Sequence, residues 1–162
     1  MSIVDWCTYL AVQAGAAATL TGLVFVAVSI NLSRVLSTPG LTGRAGESIL
    51  QLFGVLLVST SVPIPRQPTV ALGIEILVLG AALCLIQTVL QFRHMAYRTG
   101  HPLRWLIVRM VQTQFACIPF CVSGILLLLG SYAGFYWLAP GFAFSLIAGV
   151  ASAWVLLVEI LR

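Results

Sequence analysis

The chain has 162 residues, of which 60% are hydrophobic and only 7% are charged, and its formal net charge is +4. A soluble domain of this size carries about 25% charged residues, so the composition excludes an ordinary soluble domain and indicates a bilayer protein. The connections between its apolar segments are too short for an extramembrane domain, and we expect no nucleic-acid partner.

Five apolar segments follow one another along the chain, each close to the roughly 20 residues that a membrane-spanning helix requires. The sequence therefore predicts an all-α polytopic membrane protein, a five-transmembrane-helix bundle forming a single membrane domain over residues 1–162. The predicted helices are 8–33, 45–62, 69–92, 105–129 and 135–161. The second segment is the shortest and precedes the breaker run PIPRQP, so a re-entrant or interfacial helix is the alternative there.

The N-terminus and the arginines predict the orientation in the membrane. The opening MSIVDW has an acid and no basic residue, so we expect no cleaved signal peptide and a first segment that remains as a helix. Arginines concentrate in the first and third connections and at the C-terminus, whereas the other two connections hold only Arg66. By the positive-inside rule the N-terminus lies outside and the C-terminus is cytoplasmic. The arginines that predict the cytoplasmic side are Arg34, Arg44, Arg93, Arg98, Arg104 and Arg162.

Two interfacial features follow from this orientation. The third connection carries Arg93, Arg98 and Arg104, which suit anionic lipid headgroups, and a topology signal alone is the alternative. The opposite interface has an aromatic belt, for which we expect an anchoring role. Its predicted members are Trp6, Tyr9, Tyr132, Phe135, Tyr136 and Trp137.

The first segment carries a seven-residue repeat of small and hydroxylated residues along one helix face. Small residues let helix backbones approach closely and hydroxyls bond across the contact, so this stripe predicts a contact with protein. Packing within the chain is one possibility, and the lining of a narrow wet path between several copies is another. The stripe consists of Thr8, Val12, Gly15, Thr19, Gly22, Val26, Ser29 and Ser33.

Glu75 stands in the apolar stretch ALGIEILVLGAALCLI, six residues into the third segment. An ionisable group inside a span is by default a candidate functional site. Polar residues at a similar depth on the other spans predict a polar layer below the outer interface, facing the bundle interior or an oligomer axis. A protonated, hydrogen-bonded structural carboxyl is the alternative. The predicted layer comprises Glu75, Gln13, Ser59, Ser123 and Ser145.

Arg109 lies near the cytoplasmic end of the fourth span. If the last two spans form an antiparallel hairpin centred near residues 133–134, Arg109 is nearly level with Glu159, which predicts a structural ion pair. Several amides fall at a similar depth and indicate either an interhelical hydrogen-bond network or a hydrated cytoplasmic vestibule. They are Asn31, Gln51, Gln87, Gln91, Gln112 and Gln114.

The sequence gives little sign of catalysis, metal binding or a cofactor. Cys7, Cys84, Cys117 and Cys121 form no CxxC pair, and we interpret them as small apolar residues. No nucleophile elbow, HExxH motif or phosphate-binding glycine loop is present. We therefore expect neither an enzyme nor a bound cofactor or metal.

The stretch GAAATLTGLVFVAVSINLSRVLSTPGLTGRAGES, residues 15–48, resembles a group of uncharacterised small bacterial multi-spanning proteins. The resemblance covers about a fifth of the chain and implies a multi-pass protein of the bacterial inner membrane, without an established activity. A fainter likeness is to calcium-channel subunits whose small-residue-rich first helix lines a pore built from several copies. In this chain, however, the intramembrane acid is on the third segment.

The leading hypothesis from the sequence is a homo-oligomeric channel, or another permeation pathway for small solutes or cations, that uses the first-segment stripe and Glu75. The alternative is a non-transporting accessory subunit that binds a larger membrane complex through the same stripe. A channel predicts self-association and conductance, whereas an accessory subunit predicts co-purification with a larger partner.

Overall fold

A computed structural model describes residues 3–37, 41–96 and 103–161, and the side chains at 6–37, 41–93, 107–108, 110–154 and 158. Over these ranges every regular element is an α-helix, which confirms the predicted all-α class. The helices are α1 (Ile3–Ile30), α2 (Leu32–Ser37), α3 (Leu41–Ser61), α4 (Thr69–Ala96), α5 (Leu103–Leu128) and α6 (Gly134–Leu161).

Five of these helices are long and apolar enough to cross a membrane, as the sequence predicts: α1, α3, α4, α5 and α6. Helix α3 runs without interruption from Leu41 to Ser61, a length that favours a full span over the re-entrant alternative. The first predicted segment divides at Asn31, which forms a turn between α1 and α2. The Asn31 side chain donates a hydrogen bond to the Ala27 carbonyl, 3.0 Å away, and so satisfies a carbonyl at the end of α1.

Helices α3, α4, α5 and α6 form a ring in which each packs against its two neighbours. Helix α1 packs on the outside of this ring, mainly against α3 and less against α6. Only 11% of its membrane-spanning window is buried, compared with 28–56% for the other spans. The molecule is therefore a four-helix core with a peripheral first helix.

An aromatic cluster attaches the start of α1 to the start of α6. The Trp6 ring lies 5.7 Å from Phe135 and 5.3 Å from Tyr136, and Tyr9 lies 6.1 Å from Phe142, between ring centroids. These distances are typical of favourable aromatic pairs. Several predicted belt residues thus also pack α1 onto the core.

The turn between α5 and α6 is tight because α5 ends in a Schellman motif. Gly130 has a φ of 76°, a left-handed conformation that glycine adopts readily. The Gly130 N–H donates to the Leu127 carbonyl, 3.0 Å away, and the Ser131 N–H donates to the Leu126 carbonyl, 2.9 Å away. Helix α6 therefore begins only six residues after the last residue of α5.

This turn corrects the predicted register of the α5–α6 hairpin. Neighbouring positions across it are Phe120 with Gly141 and Ala116 with Ser145, pairs whose residue numbers total 261. The prediction, centred near residues 133–134, required a total of about 267 and was wrong. The difference of six residues corresponds to about 9 Å along a helix at 1.5 Å per residue.

The interior of the four-helix core divides into an apolar half and a polar half. The apolar half lies at the end of the bundle where α3 and α5 end, and it packs against the first half of α1. Its buried residues are Leu10, Ala17, Val55, Val58, Leu72, Ile76, Phe120, Leu127, Phe135, Leu138 and Phe142. The polar half extends from the middle to the end where α3 and α5 begin. Its buried residues include Glu47, Ser48, Gln51, Gln87, Gln91, Thr113 and Ser145.

Glycines bring α4 and α5 into close backbone contact in the apolar half. A Cβ atom at Gly124 would lie 2.7 Å from the backbone nitrogen of Leu77, and one at Gly73 would lie 2.9 Å from that of Leu128. A Cβ atom cannot fit at such distances, so only glycine permits this helix separation. Across this hairpin, neighbouring residue numbers total 201.

Candidate functional site

The predicted stripe on α1 faces away from the bundle. Helix α1 packs on the core through Leu10, Ala17 and Val24, which are buried at seven-residue intervals. Gly15 and Gly22 follow Leu10 and Ala17 by five residues, about 140° round a helix of 3.6 residues per turn. All stripe residues are exposed: Thr8, Val12, Gly15, Thr19, Gly22, Val26, Ser29 and Ser33.

The surroundings of the two stripe glycines show that the described chain leaves this face open. A Cβ atom added at Gly15 or Gly22 would meet nothing within 4 Å. The Thr19 hydroxyl donates to the Gly15 carbonyl of its own helix, 2.8 Å away. Among the described residues the stripe therefore does not pack against its own bundle, and its role as a pore or interface stays a prediction.

Glu75 is half-buried in the second turn of α4, where it has a partner from the preceding turn. The Gln67 side-chain amide donates a hydrogen bond to the Glu75 carboxylate, with 2.7 Å between Nε2 and Oε2. Arg66, just before Gln67, has a φ of 61°, a conformation that is uncommon for residues other than glycine. The chain thus supplies Glu75 with a hydrogen bond at the end of the bundle, beside a strained turn.

The structure places the members of the predicted polar layer around Glu75 in different surroundings. Ser59 and Ser123 are fully buried, and their hydroxyl oxygens have no hydrogen-bond partner among the described residues. Gln13 is half-buried on α1, and its side-chain oxygen also lacks one. Ser145 lies deeper and belongs to the polar half. Ser145 was wrongly included, because the register of the α5–α6 hairpin places residue 138, not residue 145, level with Ser123.

The centre of the polar half is a chain of side-chain hydrogen bonds that joins all four core helices. The Gln87 amide of α4 donates to the Gln51 carbonyl oxygen of α3. Gln51 donates to the Ser145 hydroxyl of α6, 2.9 Å away, and Ser145 donates to the Ala116 carbonyl of α5, 3.4 Å away. Gln51 is ten residues from either end of α3, so this chain of bonds lies near the middle of that span.

Further bonds reinforce the polar half between pairs of helices. Ser48 of α3 donates to the Gly149 carbonyl of α6, 2.7 Å away. Gln91 of α4 donates to the Thr113 hydroxyl of α5, 2.8 Å away. Burying amides in a span requires partners of this kind, because hydrocarbon offers none.

These bonds confirm the interhelical network predicted from the amides. Gln51, Gln87 and Gln91 participate as described, and Gln114 donates to the Thr88 hydroxyl, 3.0 Å away. Asn31 was wrongly included, because its side chain bonds to its own helix.

A small cavity lies within the polar half. Its volume is about 10 Å³, close to the smallest space that holds one water molecule. The lining residues are Glu47, Gln51, Gln87, Gln112, Thr113, Ala148 and Ser152. The Glu47 side chain is only 5% exposed, so this cavity borders a buried carboxyl group.

Sequence reasoning assigned no role to Glu47, although its spacing carried a signal. Residues 47, 51, 55 and 58 recur at steps of four and three, which places them on one helix face. Val55 and Val58 on this face are fully buried. A carboxyl and an amide that continue the buried face of the same helix predict a polar core, and that reasoning would have located Glu47 and Gln51 together.

Three thiols meet at the contact between α4 and α5, a cluster that the sequence reasoning also missed. Cys84 of α4 is level with Cys117 of α5, one turn from Cys121, and its thiol donates to the Gln114 side-chain oxygen, 3.7 Å away. The numbers of Cys84 and Cys117 total 201, so the register of the hairpin would have placed them level. Among the described residues, no group of three or more His, Cys, Asp or Glu is arranged to hold a metal ion.

Several predicted charged sites fall outside the described side chains. Arg109 and Glu159 lie in α5 and α6, but their side chains are not described, and the ion pair stays a prediction. The register of the described contacts places residue 109 level with residue 152 instead of 158. Arg98 and the Arg104 side chain are likewise outside the described residues, whereas Arg93 is exposed near the end of α4.

Comparison with models of protein families, with curated proteins and with solved structures finds no match for this chain. The resemblance of residues 15–48 to small bacterial multi-spanning proteins therefore stays a prediction.

Proposed function

We propose that this chain is a subunit of a homo-oligomeric membrane assembly that provides a pathway for small solutes or cations between its copies. The observation that carries the proposal is the exposed face of α1, on which small and hydroxylated residues recur every seven positions. We further propose that the protein resides in the bacterial inner membrane, with its N-terminus outside and its C-terminus cytoplasmic.

The closed interior of a single chain supports a pathway between copies. The apolar half is filled by large side chains, among which Phe120 and Phe142 are almost completely buried. A solute crossing one copy would have to displace these rings, which pack 5.4 Å apart between centroids. The polar positions on α1 are instead already on the surface, where several copies could surround an axis.

The exposed face of α1 also suits helix association in lipid. Gly15 and Gly22 have no neighbours at the position of a side chain, so a second helix can approach the backbone closely. The opposite face of α1 is occupied by its contacts with the core. Helix α1 thus has one face for its own bundle and another for a neighbour.

Glu75 has a structural role in this proposal. Its carboxylate accepts a hydrogen bond from Gln67 of the same chain, and it lies on α4, which packs against α3 and α5. We expect Glu75→Gln to leave cation flux unchanged, because an amide oxygen still accepts the Gln67 bond. A change in selectivity would instead place the carboxylate on the pathway, as the sequence first suggested.

The experiment that tests the proposal combines the mass of the assembly in lipid nanodiscs with cation flux in reconstituted vesicles. Gly15→Leu adds bulk to the stripe and should lower both the number of copies and the flux. Ala16→Leu adds a bulky side chain to an exposed position about 100° away on the same helix, and should change neither. A wild-type monomer without flux would refute the proposal.

The second candidate is a non-transporting accessory subunit, favoured by the closed interior of the single chain. It uses the same α1 face, but the neighbouring helix belongs to a larger membrane protein. Capture of one defined partner that Gly15→Leu abolishes and Ala16→Leu preserves would support this alternative, provided that the purified chain conducts nothing.

A further inference from the structure

The cavity in the polar half is lined mainly by groups that can hydrogen-bond to water. Of its seven lining residues only Ala148 is apolar, and the others supply one carboxyl, three amides and two hydroxyls. Apolar cavities in proteins stay dry, whereas polar ones hold water that hydrogen-bonds to the lining groups.

The cavity lies towards one end of the bundle. Glu47 is in the second turn of α3, whereas Thr113 is ten residues from the start of α5 and Ser152 is nine residues from the end of α6. All three positions lie in the half of the bundle towards the membrane face at which α3 and α5 begin. That face is therefore the nearer of the two to the cavity.

On the other side the route is closed. The hydrogen bond between Gln51 and Gln87 crosses the bundle at the inner wall of the cavity. Beyond it lies the apolar half, where the buried Phe120 and Phe142 fill the space between α5 and α6. Past this point the described interior is mainly apolar, with isolated hydroxyls at Ser59, Ser61 and Ser123.

We propose that the cavity binds water and forms the inner part of a crevice that is accessible from one membrane face only. The crevice hydrates Glu47 and ends at the paired amides of Gln51 and Gln87. The inference concerns the interior of one chain, so it stands whether or not copies assemble around α1.

The first test uses the unaltered protein with ¹⁵N-labelled glutamine in lipid bilayers, and measures magnetisation transfer from water by solid-state NMR. We expect rapid transfer to the side-chain amides of Gln51, Gln87 and Gln112, which line the cavity. Gln114 is the internal reference, because it lies two residues from Gln112 but bonds to Thr88 at the α4–α5 contact. We expect slow transfer from water to the Gln114 side-chain amide. Equally slow transfer at all four amides would overturn the proposal.

The second test determines which face the crevice opens to. Ser152→Cys places a thiol in the cavity wall, and Ala151→Cys places one at the same depth on the exposed side of α6. Silver ion, which is no larger than a water molecule and can therefore enter so small a cavity, should block Ser152→Cys at least about tenfold faster than Ala151→Cys, because only the hydrated thiolate reacts.

Labelling is quantified by alkylating the unblocked thiols after denaturation, followed by mass spectrometry of peptides, which separates the introduced thiol from the four native cysteines. Reagent is added to one side of oriented vesicles at a time, and the expected labelling occurs only from the side at which α3 begins. Equal rates for the two variants, or labelling of Ser152→Cys from the opposite side, would show that no such crevice exists.

Discussion

The two halves of the four-helix core are held together by different kinds of interaction. In the polar half, side-chain amides and hydroxyls connect the helices through hydrogen bonds, centred on Gln51. In the apolar half, glycines at 73 and 124 let the backbones of α4 and α5 touch, and apolar side chains fill the remaining space. In lipid there is no hydrophobic driving force for helix association, so close packing and interhelical hydrogen bonds must stabilise the bundle.

The comparison shows why the two halves should respond differently to substitution. Close backbone contact depends on atoms that cannot move aside, so it tolerates almost no added volume. Hydrogen bonds depend on matched pairs, so they tolerate a change in volume but not the loss of one partner. The water-filled crevice proposed above belongs only to the polar half, because hydrogen-bonding groups can be shared with water and packed methyl groups cannot.

The largest loss of unfolding free energy is expected when volume is added in the apolar half. In Gly124→Ala the new methyl group would lie 2.7 Å from the Leu77 backbone nitrogen. Relief of this overlap requires α4 and α5 to separate, which we expect to cost about 2–3 kcal/mol of unfolding free energy. The measurement is reversible unfolding in lipid bicelles.

Two glycines elsewhere make this experiment a graded series. A Cβ atom at Gly149 would also lie 2.7 Å from a neighbour, but that neighbour is the end of the Leu52 side chain, which can rotate. At Gly46 the added methyl group would meet nothing within 4 Å. We expect a smaller loss for Gly149→Ala and none for Gly46→Ala. Equal losses at Gly124 and Gly149 would contradict the distinction between the halves.

The next largest loss of unfolding free energy is expected when one partner of a hydrogen-bonded pair is removed from the polar half. Gln51→Leu leaves the Gln87 amide and the Ser145 hydroxyl without their partner, which we expect to cost about 1–2 kcal/mol. The double variant Gln51→Leu/Gln87→Leu removes both amides and should recover part of this loss, because no buried amide is left alone. A double-mutant cycle measures the coupling, and strictly additive losses would show that the two amides do not interact.

The spans of this protein were largely predictable from the sequence. Residues 69–92 and 135–161 were predicted as helices, and the structure has α4 at Thr69–Ala96 and α6 at Gly134–Leu161. Hydropathy is sufficient here because each span must be apolar over a length set by the bilayer. The break at Asn31 was missed, since a polar residue near the end of an apolar run does not alter its mean hydropathy.

The contacts between spans were less predictable. The amide network was anticipated because several glutamines fall at a similar depth, whereas Ser145 was wrongly placed in the predicted polar layer around Glu75. Such a layer depends on the rotation and register of each helix, which composition does not specify. In the α5–α6 hairpin, the glycine that ends α5 at a Schellman motif was the local signal for the register, and it was overlooked. The exposure of the α1 stripe depended on which face packs, information that only the assembled fold contains.

The smallest change in unfolding free energy is expected for two buried serines, one in each half of the core. Ser145 and Ser123 are both fully buried, but Ser145 accepts a bond from Gln51, whereas the Ser123 hydroxyl oxygen has no partner among the described residues. Ser145→Ala should therefore lower the unfolding free energy by about 0.5–1 kcal/mol, because a buried donor loses its acceptor. Ser123→Ala should leave it unchanged or raise it slightly, because the substitution removes a hydroxyl whose burial was not offset. Unfolding of both variants in the same lipid provides the comparison, and a greater loss for Ser123→Ala would mean that this hydroxyl has a partner in the membrane and that the apolar half is more polar than its side chains indicate.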